Sequence, residues 1–138
     1  MASIGPKCLA VIICESVVED LRTRNKSILN AYNVISAPRF PTTHDRMTVF
    51  VSLTEGRGPA DTRFVLLRDS QSGQEQILEV RGKVRFPNPV AVVDLVVDLR
   101  NVPVPGPGPY AMQVWVGDEL VGERRVIARQ MPTREVKP

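Results

Sequence analysis

The chain has 138 residues, 43% of them hydrophobic and 24% charged, and its formal charge is +3. That length fits one domain, able to bury about two-thirds of its unfolded surface without staples. The composition excludes a disordered chain and a helical membrane protein, and the slight basic excess permits nucleic acid or acidic partners without arguing for them.

The longest apolar run, Cys8 through Cys14, ends at Glu15. A helical bilayer span needs about 20 apolar residues, so this run cannot provide one. Lys7 in front of it is one feature of a secretory signal. The run is at the lower limit for such a signal, however, and no small-residue cleavage site succeeds it. It reads as a buried strand over 8–18 in a cytoplasmic protein, with room for a short helical turn near Val17–Leu21. Cys8 and Cys14 on one strand would stand roughly 20 Å apart. A disulfide needs Cα atoms within about 7 Å, so both thiols are expected to be free, small buried groups in a reducing compartment.

Period-two alternation dominates the chain beyond Lys26, with strands expected at 28–36, 47–54, 62–69, 75–86, 90–100, 110–117 and 119–129. In the third strand Met47, Val49, Val51 and Leu53 face inward and Phe50 outward. In the fifth, Leu78, Val80, Val84 and Phe86 face inward, while Glu79, Arg81, Lys83 and Arg85 face water. In the sixth, Val93, Leu95, Val97 and Leu99 alternate with Asp94, Val96 and Asp98. In the seventh, Tyr110, Met112, Val114 and Val116 face the core and Trp115 points away from it. Turn chemistry separates these runs: Asp20–Lys26, a loop holding Pro38, Pro41, His44 and Asp45, the Gly56–Pro59 stretch, Ser70–Gly73, Pro87-Asn88-Pro89, a stiff loop over Pro103–Pro109, and Gly117-Asp118. Residues 130–138 lose the alternation and read as an exposed tail. The expectation is one domain over 1–138, ordered over about 7–129: an all-β, immunoglobulin-like antiparallel β-sandwich of about eight strands.

Two stretches carry a resemblance. One is Cys14–Asp20 followed by Asn25–Ile35; the other is Pro107–Val114 followed by Gly117–Glu123. Together they resemble an uncharacterised family of small bacterial proteins with no established function. The Pro107-Gly108-Pro109-Tyr110 lead into a strand is similar to that of many immunoglobulin-like sandwiches. The resemblance implies that Tyr110 packs at a sheet corner with its hydroxyl bonded to backbone. It implies no active site.

Residues able to do chemistry are sparse. His44 is the only histidine, which removes most multi-histidine metal sites. Asp45 is adjacent to it in sequence, and adjacent side chains often point apart, so no orienting contact is implied. Asp94 and Asp98 on one strand face would be roughly 13 Å apart, beyond the ~5–9.5 Å of glycosidase carboxylate pairs. Gly56-Arg57-Gly58 and Pro105–Gly108 lack the Lys-Ser/Thr ending and the helix of a phosphate loop. No catalytic, cofactor-binding or metal-ligating residue is assigned. Arg81, Lys83 and Arg85 form a basic stripe, yet single-strand nucleic-acid binders interleave aromatics, which are only 5% here. The sole tryptophan, Trp115, together with Phe50, is the expected apolar contact surface, unless the proline-rich loop covers it. The expected function is a non-enzymatic protein-binding or assembly module, with a protein partner or a homo-oligomer as its counterpart and no membrane. Binding of a small ligand or nucleic acid by the basic stripe is the alternative, and hydrolysis by His44 with a serine or cysteine is the least favoured.

Overall fold

A run that alternates apolar and polar residues cannot bury one face as a helix, but as a strand it presents a continuous apolar side. The computed structural model describes residues 5–132, and every regular element in it is a strand: β1 (Lys7–Glu19), β2 (Lys26–Ala31), β3 (Val34–Ala37), β4 (Thr42–Thr54), β5 (Gly58–Ser70), β6 (Gly73–Phe86), β7 (Val93–Val104), β8 (Gly108–Val116) and β9 (Glu119–Gln130). No helix among the described residues is long and apolar enough to cross a membrane. The tail expected from 130 lies outside the described residues from 133 onward.

The strands form two sheets, ordered β2-β1-β4-β7 and β3-β9-β8-β5-β6. Their inner faces meet in one core. Ile13, Met47, Val49, Val51, Leu53 and Leu99 come from the four-stranded sheet, and Phe64, Leu66, Met112, Val114 and Val126 from the five-stranded one. Each such side chain contributes about 1.5–3 kcal/mol by leaving water.

The segment expected as one strand over 28–36 is two strands in different sheets. β2 pairs with β1 antiparallel, whereas β3 pairs with β9 in parallel. The Tyr32 N–H donates to the Ile13 carbonyl, and the Ile127 N–H donates to the Asn33 carbonyl. The chain therefore steps between sheets at Tyr32-Asn33, which makes nine strands among the described residues and a mixed second sheet. Local propensity hides this because both halves suit a strand; only the partners differ.

Three boundaries also move. β4 starts at Thr42, so His44 and Asp45 lie on a strand and not in a loop, because β7 continues opposite them to Val104. Pro103 sits in β7 at a sheet edge, where its missing N–H is tolerated, and the stiff loop shrinks to Pro105–Pro107. No helical turn forms near Val17. Instead β1 runs to Glu19, and the Asp20 carboxylate accepts the N–H groups of Arg22 and Thr23; the Thr23 bond is the larger of those holding its carboxyl below the usual range.

A bulge between Cys8 and Ala10 changes the face on which β1 residues lie. Leu9 is extruded, Cys8 faces inward and Cys14 faces outward, though it is fully buried beside Thr48. Both thiols are free, and burial raises both above the usual thiol pKa. Gly122 permits the close approach of β1 to β9. A Cβ there would fall 2.8 Å from Cys8 Sγ and 2.9 Å from Val11 Cγ2. On β8, the buried Tyr110 hydroxyl donates to the Gly106 carbonyl at 2.6 Å and accepts the Gly106 N–H at 3.2 Å, the corner arrangement implied by the resemblance.

Candidate interaction surface

Alternation along β8 sends Val114 into the core and both Gln113 and Trp115 outward. β5 sets Arg63 opposite Trp115, and β6 sets Arg81 opposite Arg63, so a row Trp115–Arg63–Arg81 crosses three strands. The Arg63 guanidinium lies 4.8 Å from the indole centroid, a cation–π contact of about 0.5–1 kcal/mol at an accessible site. The indole N–H donates to Gln113 Oε1 at 3.1 Å. Glu79 ion-pairs with Arg63 at 3.6 Å and with Arg81 at 3.4 Å.

Trp115 is therefore half-buried under side chains of its own sheet. The proline-rich loop does not cover it, because Pro105–Pro107 leads into the Tyr110 end of β8 and Trp115 stands near the other end. Val65 and Ala111 share the outer face yet are only 4% and 1% exposed. Long neighbouring side chains lie along apolar surface in this way while their charged ends stay wet. Lys83 continues the row opposite Asp61, and Arg85 lies opposite Pro59. Arg63, Arg81 and Lys83, with Asp61 and Asp118, line an open hollow of about 560 Å³.

Phe50 is elsewhere. It lies on the outer face of the four-stranded sheet, between Ile12 of β1 and Val96 of β7. Trp115 and Phe50 point to opposite sides of the sandwich and do not form the single patch expected from alternation. Alternation shows that a residue faces outward but not which sheet it belongs to. Two other outward groups on that face hold each other: Arg46 binds Asp98 through two nitrogens at 3.1 and 3.3 Å, and this bonding, together with Arg100, holds the Asp98 carboxyl below the usual range.

One constellation escapes the sequence. The Tyr32 hydroxyl is 2.7 Å from His44 Nε2 and donates to the Arg46 carbonyl at 3.3 Å. The two bonds fit a chain in which His44 Nε2–H donates to the Tyr32 oxygen. Burial pushes the Tyr32 hydroxyl well above its ordinary pKa and lowers that of His44, which Asp45 partly offsets. These residues border a cavity of about 490 Å³, with Glu15 and Asn30 in its wall. The spacing hides it, because Thr42 and His44 pair with the core residues Val104 and Val102 whereas Arg46 and Phe50 pair with the outward Arg100 and Val96, so this stretch of β4 changes face at Asp45. Pro41 masked it as a loop. Among the described residues no group of three or more His, Cys, Asp and Glu could hold a metal ion.

Two face-to-face sheets, a segment that crosses from one to the other, and a tyrosine corner on β8 define an immunoglobulin-like β-sandwich. Within that class the chain belongs to DUF6941, a family of unknown function, whose pattern matches residues 9–129. No protein with a curated description matches it. Among solved structures the chain is similar to the alkylpurine DNA glycosylase AlkC of Pseudomonas fluorescens, with 12% identity, 93% of this chain and 31% of that one covered, and a TM-score of 0.53. The chain thus spans about a third of the glycosylase's length, and the likeness is one of fold. It is also similar to a β-glucosidase from Listeria innocua (14% identity, 70% of this chain and 14% of that one, TM-score 0.48). A third similar structure is an immunoglobulin-like protein from Pseudomonas aeruginosa (14% identity, 94% and 100%, TM-score 0.42).

Proposed function

We propose that this protein is a non-enzymatic interaction module that binds another protein over the outer face of its five-stranded sheet. The observation that carries the reading is Trp115, set outward beside Arg63 and Gln113 on a face with no further layer of chain among the described residues. Tryptophan and arginine together are the residue types that dominate binding energy at interfaces. The absence of catalysis is part of the proposal. It is supported by the bonding of the sole histidine, whose Nε2 meets a tyrosine hydroxyl and not a serine or cysteine. The two free thiols support a reducing compartment such as the cytoplasm.

Binding of a polyanion by the basic stripe is the rival reading. It draws support from the convergence of Arg63, Arg81 and Lys83 on one hollow, and the glycosylase of similar fold was solved bound to DNA containing an abasic site analogue. Against it, Glu79 neutralises two of the arginines, Asp61 and Asp118 stand in the same wall, and Trp115 has no second aromatic beside it for stacking bases.

The test is affinity capture from extract of the native cell with wild type, Trp115→Ala and Phe50→Ala, read by mass spectrometry. The reading expects a protein retained by wild type and by Phe50→Ala and lost from Trp115→Ala, with the melting of that variant little changed. The same proteins on all three baits would refute the Trp115 face. A retained fraction that is nucleic acid, released steeply by salt, would favour the rival.

A further inference from the structure

β6 and β7 end their respective sheets, and each hydrogen-bonds to one neighbour only, β5 and β4. Each leaves a row of backbone N–H and C=O groups without a strand partner. The two edges lie on the same flank, joined by residues 87–92. The core beneath that flank is incompletely closed: Leu78, Val80, Val93, Leu95 and Val97 point inward yet are only half-buried. Outside, Val96 is 41% and Val92 58% exposed. Long apolar edges with free backbone groups are templates for strand addition.

The charges decide which strand can be added. The outer face of β7 carries Asp94, Asp98 and Arg100, and that of β6 carries Glu79, Arg81, Lys83 and Arg85. Pairing β6 with another β6 would oppose cations wherever the two Arg81–Arg85 stretches overlap, and pairing β7 with another β7 would extend only the four-stranded sheet. Like charges directly opposite on a ladder are destabilising, and opposite charges stabilise it. β7 against β6 sets opposite charges across the ladder and joins both sheets. Among the described residues, no ion pair inside the chain uses Asp94, Lys83 or Arg85.

Topology allows this pairing to close on itself. β4 and β7 are antiparallel, as are β5 and β6, and β4 turns into β5 over residues 55–57. β6 and β7 therefore run in opposite directions. A twofold axis parallel to the strands, along this flank, would lay the β7 of each copy antiparallel to the β6 of the other and extend both sheets across the pair. Phe86 and Val93 stand at the same end of the sandwich. Counting inward from them sets Asp94 opposite Arg85, Val96 opposite Lys83 and Asp98 opposite Arg81 of the second copy.

From this juxtaposition we infer that the β6–β7 flank is a homodimer interface, in which each β7 edge takes the β6 edge of a second copy. The interface is distinct from the Trp115 face and does not depend on it.

The test is sedimentation equilibrium of the full chain across a concentration series, for wild type, Asp94→Lys, Arg85→Glu, the Asp94→Lys/Arg85→Glu double variant and Trp115→Ala. Wild type should be a dimer. Each single reversal changes the sign of two symmetry-related contacts and should weaken dimerisation by roughly tenfold or more, whereas the double swap should restore it to within about threefold. Restoration also shows that the singles failed by charge and not by misfolding. Trp115→Ala should dimerise like wild type. A monomeric wild type, an open-ended polymer, a double variant as weak as the singles, or loss of the dimer in Trp115→Ala would each overturn the inference.

Discussion

Tyr110 satisfies both backbone groups of Gly106 with one hydroxyl, in a buried setting. A buried donor or acceptor left without a partner costs about 1–3 kcal/mol. Tyr110→Phe keeps the ring in the core and orphans both Gly106 groups, so it should lower stability by about that amount in urea unfolding. A change within error would show that the corner bonds contribute nothing. The Tyr110 role was legible from the residues before it, because a proline–glycine lead into a strand is a local pattern. The bond from His44 to Tyr32 was not, because it joins residues on either side of a sheet crossing that no local pattern reveals.

Among the elements, β8 has the register most firmly set by its own alternation. Val114 is fully buried between Phe64 and Gly122 on the neighbouring strands, and Gln113 faces out. Val114→Asp should unfold the domain, since a charge left unpaired in a core costs several kcal/mol. Gln113→Ala, one position away, should shift stability by no more than about 0.5 kcal/mol. Equal losses in thermal melts would mean a register off by one. Val80 on β6 follows the same alternation but is only half-buried at the open flank. A charge there is softened by water, which alternation alone cannot show. The bulge at Leu9 is a similar case: it puts Cys8 and Cys14 on opposite faces, although an even spacing of six would put them on one.

At the scale of the whole molecule, the step between β2 and β3 ties the two sheets together, and the Tyr32–His44 contact sits at that step. The pH dependence of stability should report on it. Burial lowers the His44 pKa below its ordinary 6.5, so the unfolded chain takes up the proton first as pH falls. The stability is therefore complete above about pH 6.5 and declines from there towards the lower folded value. Asp98, lowered chiefly by Arg46, adds loss of the same sign below its ordinary 3.8. Urea titrations at a series of pH values should show His44→Gln flattening the upper part of this decline and leaving the carboxylate part. An unchanged slope between about pH 5 and 6.5 would exclude His44 as its source.

The sequence by itself determined the all-β class, the turns at Ser70–Gly73 and Gly117-Asp118, and the facing of Met47, Val49, Phe50, Val114 and Trp115, because alternation and turn chemistry act between residues close in the chain. The tertiary structure alone decided that 28–36 divides between two sheets, that Trp115 and Phe50 look in opposite directions, that Arg63 and not a proline loop shelters Trp115, and that β6 and β7 share an open flank. Those outcomes depend on which strands exchange backbone hydrogen bonds. Such pairings join residues distant in sequence, and the same local pattern is compatible with several of them.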